Sequence, residues 1–282
     1  MATNVTSGDV RRTGREAAGN RWFHWLSRAG LAARGVIYVL IGSLAVQIGL
    51  GGEGGAEADK KGALETVAGS PGGKVILWLL VIGFAGLALW RYAEALYGQP
   101  IPEGDKATKR LASLARGVFY SLVCAAVLNF TLGGGAESSN EQSQNFTAKA
   151  MGEPGGRWLV LAIGAGFMAW GIGGIVNALR RKFTEKLKTG QMAPRTRKVV
   201  ELLGMVGRSA RGLVFGAAGV FLAYAAITFD PDKAKGLDGT LRTFADTPAG
   251  PWVLVAVAIG LVTFGVYSFC EARWRKVETV RS

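Results

Sequence analysis

Histidine is almost missing from this chain of 282 residues: His24 stands alone. One imidazole supplies neither two-histidine haem ligation nor a histidine-rich zinc site, and it has no second titrating partner. Cysteine is nearly as scarce. Cys124 and Cys270 both fall inside apolar stretches, where they read as small packing residues and not as a disulfide or metal pair. Acidic side chains number 20 against 33 basic ones, and those in the polar loops lack metal-ligand clustering. There is no G-x-S-x-G nucleophile elbow. The ten-residue alternating patterns of an outer-membrane barrel are missing too. These absences point to no catalytic residue, no metal and no cofactor.

What the chain has in quantity is glycine, at 42 residues, and long apolar blocks. Six blocks cover about 30–50, 75–98, 112–133, 158–179, 209–229 and 252–270. Each is long enough for a helix rising ~1.5 Å per residue to cross a hydrocarbon core of ~30 Å. Glycine and β-branched residues do not oppose helix there, because lipid leaves the backbone no partner but itself. The first 28 residues are basic and polar, and the block after them is too long for a cleavable signal core, so it is expected to stay as a spanning helix. The formal net charge of +13 is unevenly spread. Segments up to Arg34, 91–116, 180–211 and 273–282 hold 25 of the 33 basic residues, whereas loops 50–74, 133–157 and 230–250 hold eight of them and 11 of the 20 acids. The positive-inside rule then puts both termini in the cytoplasm. The basic surplus is a topology signal that also suits anionic lipid headgroups at the cytoplasmic face, and it gives no reason to expect nucleic acid.

One unit recurs three times. "ARGVIY" at 33–38, "ARGVFY" at 115–120 and "ARGLVF" at 210–215 each start an odd-numbered block. From the arginine to a later proline is 37 residues (Arg34 to Pro71), 38 (Arg116 to Pro154) and 37 (Arg211 to Pro248). Twelve residues past each proline stands Gly83, Gly166 or Gly260; 23 past it stands Glu94, Asn177 or Glu271. Each copy makes two crossings, so successive copies keep one orientation. The expectation is an all-α integral membrane protein of six transmembrane helices, arranged as three parallel helical-hairpin repeats in a pseudo-threefold bundle. Its parts are a basic N-terminal segment at 1–28, repeats at 29–98, 111–182 and 205–276, and a basic linker at 183–204.

In these Arg-Gly helix starts and Pro-Gly-type second starts, over about residues 26–276, the chain resembles the bacterial membrane proteins of the domain of unknown function 1206 family. The third copy departs, with Phe215 for tyrosine and "PAGP" for "PGG"; the second carries Asn177 where the others carry glutamate. The resemblance implies a bacterial inner-membrane location and no established activity.

The phrase "SPGGK" at 70–74 invites a phosphate-loop reading, but Lys74 is followed by valine, the glycine spacing is wrong and no strand precedes it. It reads instead as a helix start, with Ser70 and Thr247 as N-caps, Pro71 and Pro248 at the first helical position, and Trp158 and Trp252 in an outer aromatic belt. Before each proline, 63–68, 146–151 and 240–245 carry apolar residues three or four apart, which predicts short amphipathic helices on the outer surface. "RWFHW" at 21–25 reads as an interfacial anchor, and "GLVFG" at 212–216 as a helix-packing signal.

Arg34, Arg116 and Arg211 fall at the depth of Glu94, Asn177 and Glu271, which lie on one helix face with their glycines. They are the candidate interhelical clamps or anion and lipid site; whether partners come from the same or the neighbouring repeat is open. Gln47, Asn129 and Tyr224, each 13 residues past its arginine, form a candidate intramembrane polar ring. At ~100° per residue they sit ~140° away from the arginines, so one helix cannot present both sets on one stripe. The sequence supports a structural or regulatory membrane protein that binds lipid or a partner. Permeation of a small solute or ion along the pseudo-threefold axis is the alternative, and an intramembrane enzyme a third.

Overall fold

The computed structural model describes residues 21–50, 57–99, 106–245 and 249–276. These form nine helices: α1 (Arg21–Gly49), α2 (Lys60–Ala68), α3 (Gly73–Tyr97), α4 (Ala107–Thr131), α5 (Ser139–Met151), α6 (Gly156–Leu179), α7 (Pro194–Thr228), α8 (Leu237–Ala245) and α9 (Gly250–Trp274). Six of them, α1, α3, α4, α6, α7 and α9, are long and apolar enough to cross a membrane. No strand occurs among the described residues; one isolated bridge joins Leu187 to Arg275.

Each repeat is a long helix, a short helix and a second long helix. The repeats pack cyclically, α3 on α4, α6 on α7 and α9 on α1. Glycine sets these contacts, because close approach of two backbones leaves no room for a side chain. A Cβ on Gly171 would lie 2.5 Å from the Gly212 carbonyl and 2.7 Å from the Gly216 Cα, so the 212–216 signal marks the α6–α7 seam. Gly35, Gly42 and Gly49 recur every seven residues on α1 and face α9 in the same manner.

Within repeats one and three the two arms also touch. Gly83 of α3 packs on Ala33 of α1, and Gly260 of α9 packs on Ala210 of α7, with a Cβ at either glycine falling 2.8 or 2.3 Å from the alanine methyl. The second repeat keeps the same residues, Ala115 and Gly166, yet Gly166 faces open space and Ala115 is exposed. Helices α4 and α6 make almost no backbone contact. They are also the least buried spans, at 22% and 17% against at least 50% for α1, α3 and α9, so the bundle is open on one side.

The "PGG" phrase starts helices by a different route from the capping expected. Ser70 is not the N-cap of α3. It begins a tight turn in which the Gly73 amide donates to the Ser70 carbonyl at 2.9 Å, Pro71 fills the second position and Gly72 takes φ 76° as the actual cap. Pro154 and Gly155 (φ 79°) repeat this before α6. Positive φ at the third turn position favours glycine. The second glycine is needed for space: a Cβ on Gly73 would lie 2.2 Å from the Val67 carbonyl oxygen. Thr247 and Pro248 lie outside the described residues, as do residues 1–20. In the 21–25 anchor, Trp25 is exposed, as are Trp158 and Trp252.

The short helices bury one face against the bundle, and on α5 only Thr147 and Met151 are buried while Phe146 stays exposed. Ala63, Leu64 and Leu241 are fully buried, and α2, α5 and α8 cap one end of the bundle. Their N-terminal ends hydrogen-bond in a ring. The Ser139 amide donates to Asp59 at 2.6 Å. The Leu237 amide donates to the Ser139 hydroxyl at 3.0 Å, and the Gly236 amide to Asn140 at 3.1 Å. The Ala58 amide donates to Asp238 at 2.8 Å and closes the circle. Each repeat thus satisfies orphan amides of the next, which periodicity alone could not reveal.

Candidate functional site

Between this lid and the basic end lies a cavity of about 500 Å³. Its wall is apolar, with Ile37, Ile41, Phe84, Val123, Ile163 and Val214 drawn from five spanning helices. Lys60 and Lys235 stand at its lid end and Arg34 at its floor. Helices α4 and α6 stand apart except at the floor, where the Phe119 and Trp170 rings meet 6.4 Å apart; above them the cavity opens sideways, and the exposed Leu122 also lines it.

Below the floor is a second, polar pocket of about 70 Å³, which shares Arg34, Phe119 and Tyr120 with the cavity above. It is lined by six arginines, at 34, 91, 116, 208, 211 and 275, together with Lys186, and by a single acid, Glu271. Glu94, buried alongside, is the second acid of the cluster.

The three repeat arginines follow one rule, with two breaks. Arg34 pairs with Glu271 of the preceding repeat in the cycle and donates to Tyr120 of the following repeat at 3.4 Å. Ser268 accepts its Nε at 3.1 Å. Arg211 donates to Tyr38 of its following repeat at 3.0 Å, but the preceding repeat offers Asn177, which is exposed and makes no hydrogen bond among the described residues. Arg211 is held by aromatic faces instead, with Trp170, Phe215 and Phe264 rings 5.0–5.1 Å from its guanidinium. Arg116 fares least well. Its following repeat carries Phe215, which has no hydroxyl, and Arg116 makes no hydrogen bond or ion pair among the described residues.

Glu94, the acid of the repeat preceding Arg116, is engaged elsewhere. Arg91 donates to it at 2.6 Å, the Ser113 hydroxyl at 3.2 Å, and Arg275 approaches at 3.7 Å. Arg275 also bonds Glu271 at 2.6 Å. One clamp of the expected kind forms, Arg34 with Glu271, and it joins neighbouring repeats; around it stands a network of two carboxylates and three arginines, in which Arg275 links both acids. Arg208 and Lys186 are surplus to it. Arg208 stacks 5.5 Å over Phe183, and its buried Nε has no hydrogen-bond partner. Lys186, half-buried, donates only to Gln99 at 2.9 Å. Its burial, and then the charges of Arg275, Arg116 and Arg91, push its pKa down to about 6.

Gln47, Asn129 and Tyr224 are not brought together. All three are exposed on the outside of the bundle, and Asn129 holds the turn after its helix by donating to the Gly135 carbonyl at 3.1 Å. The cause is the ~140° offset: with the arginines turned inward, residues 13 positions later must turn outward. The intramembrane ring is therefore corrected to three separate surface positions. The hydrogen bond of Arg116 with Asn177 within repeat two is corrected likewise, since α4 and α6 do not pack together; Asn177 stays on α6 beside α7, exposed and without a hydrogen bond among the described residues.

Four cluster members were not anticipated. Arg91 and Arg275 stand three before Glu94 and four after Glu271, and Arg208 three before Arg211, so helical spacing on the clamp face was the available signal. Lys186 had none. It is delivered by residues 182–192 folding back under the bundle, where the Lys188 amide donates to the Trp274 carbonyl at 2.7 Å and the Lys276 amide to that of Lys186 at 2.9 Å. Cys124 and Cys270 are free thiols at half-buried packing positions.

Six apolar helices in three like hairpins, a hydrogen-bonded lid and an arginine-lined floor define a multi-pass membrane protein built by internal repetition. Residues 29–98, 111–181 and 206–275 each match the family described as Domain of Unknown Function (DUF1206), and the chain belongs to that family. It is 31% identical over 255 residues to "Uncharacterized protein YxxB" of Bacillus subtilis (strain 168), across 89% of this chain and 90% of that one. No solved structure matches it.

Proposed function

We propose that this protein is a lipid-binding membrane protein, structural or regulatory in role, that takes an amphiphile sideways out of the bilayer. The observation that carries this reading is the apolar cavity of about 500 Å³ left open between α4 and α6. Its volume falls within the ~300–1,000 Å³ usual for small-molecule sites, and its mouth faces the hydrocarbon region by the position of the spanning helices. The basic end is read as cytoplasmic from its lysines and arginines, in a bacterial inner membrane. Solute permeation gains nothing from the geometry: the cavity wall is apolar, and Gln47, Asn129 and Tyr224 point away from it.

The test is native mass spectrometry of protein released from its own membrane. The wild type is expected to keep an amphiphile adduct under collisional activation, and Ala218→Trp, which fills the cavity, to lose it. Spectra without any adduct, or with one that survives Ala218→Trp unchanged, would contradict the reading.

A further inference from the structure

The floor of the cavity differs from its wall in a way that names the headgroup. We infer that Arg116, Arg208 and Arg211 form a phosphate site, and that its occupant is the phosphate of an anionic phospholipid whose chains fill the cavity. The inference rests on the lipid-binding reading above and goes beyond it.

Three observations converge. The first is charge. Seven cations line or touch the polar pocket, and the two acids beside them are committed to Arg34, Arg91 and Arg275. Arg116 and Arg208 are left without any acceptor among the described residues, and Arg211 with only a tyrosine hydroxyl. Isolated charge in a low-dielectric interior is costly, and an anion bound there would offset that cost. Guanidinium groups suit phosphate, because their planar donors engage two oxygens at once.

The second observation is the origin of the surplus. The threefold pattern would supply every arginine with an acid from one neighbour and a tyrosine from the other. Of the two departures from that pattern, Asn177 removes the acid of Arg211 and Phe215 the tyrosine of Arg116, whose acid, Glu94, is taken by Arg91. Both arginines line the pocket, and both departures belong to the repeats that flank it.

The third is continuity. Arg34, Phe119 and Tyr120 line both spaces, so a molecule with an apolar body in the cavity has its end group at the arginines. Transfer of an acyl chain from bilayer to apolar cavity exchanges one apolar medium for another and gives little hydrophobic gain. Selection must then come from the polar end. The source is committed to lipid because the access route opens between α4 and α6, at membrane depth.

The pseudo-threefold relation also supplies the test. Arg34 sits 5.1 Å over the ring of Phe264, seven residues before its partner Glu271. Arg211 sits 5.1 Å over that of Trp170, seven residues before Asn177. Asn177→Glu therefore gives Arg211 the acid that Arg34 already has, and it adds an ion pair instead of removing one. Arg116→Gln removes a charge that holds nothing else.

Binding is measured on full-length protein in neutral detergent, titrated with phosphatidylglycerol, with uncharged diacylglycerol of the same chains, and with inorganic phosphate as competitor. Phosphatidylglycerol is expected to bind at least tenfold more tightly than diacylglycerol and to be displaced by millimolar phosphate. Asn177→Glu and Arg116→Gln should each lose at least tenfold for phosphatidylglycerol and little for diacylglycerol, with melting temperatures held. Equal affinity for the two lipids in the wild type, or phosphatidylglycerol affinity unchanged in both variants, would overturn the phosphate site and leave the cavity reading standing. If neither lipid binds, both fail. If phosphate alone binds, the site serves a free anion and the lipid assignment is wrong.

Discussion

At the residue scale, the chain puts its chemistry into arginines whose partners are unequal. Lys186 adds a titrating group to them. Its pKa of about 6 lies far below the ordinary lysine value, so between the two the folded protein has released a proton that the unfolded chain keeps. Stability therefore rises with pH across that window, and the charge returns to the pocket as pH falls through about 6. The groups facing it are Arg275, Arg116, Arg91 and Glu94. One more cation in the pocket attracts a phosphate, and ~1.4 kcal/mol of such attraction is a tenfold gain in affinity. Phosphatidylglycerol affinity should thus rise about tenfold from pH 7.5 to pH 5. In Lys186→Gln the profile should be flat; a slope retained by that variant would assign the titration to another group.

The repeat arginines and the acids were legible in the sequence because a threefold register singles out positions that chance would not hold. The polar triplet was legible as a set but not as a site. Its angular offset was computable, yet only the inward direction of the arginines decides which set faces out. Lys186 was invisible, since a chain reversal beneath the bundle has no period.

At the element scale, one interface is missing. The alanine and glycine that join the arms of repeats one and three persist in repeat two as Ala115 and Gly166, without touching. A side chain at Gly83 collides with Ala33, and overpacking of that kind costs ~1–3 kcal/mol. At Gly166 nothing lies within 4 Å, and loss of a helical glycine contributes up to ~1 kcal/mol of stabilisation. Thermal melting in detergent should show Gly83→Leu well below wild type and Gly166→Leu at or above it. Equal losses in both would mean that α4 and α6 are closed. The spans themselves were plain from hydropathy. The open seam was not, because its residues match those of the closed ones. The lid helices were legible from their apolar spacing, but the hydrogen-bonded ring that joins them was not, since packing on a bundle and adsorption to a membrane surface ask for the same amphipathic pattern.

At the scale of the whole molecule, near-symmetry is what gives the site its character. Asn177, Phe215 and the splayed second hairpin remove pairing and closure on neighbouring sides of one pocket. On the proposal above, the space so made holds a phospholipid with its phosphate on the arginines. This occupancy is tested most directly by photocrosslinking with a phosphatidylglycerol that carries a diazirine on one acyl chain, followed by mapping of the labelled peptides. Labels are predicted on the cavity faces of α4 at 119–123, α6 at 163–167 and α7 at 214–222, and should fall away in Asn177→Glu. Labels confined to outward residues such as Leu79, Ile82 and Ile259, and unchanged in that variant, would contradict it.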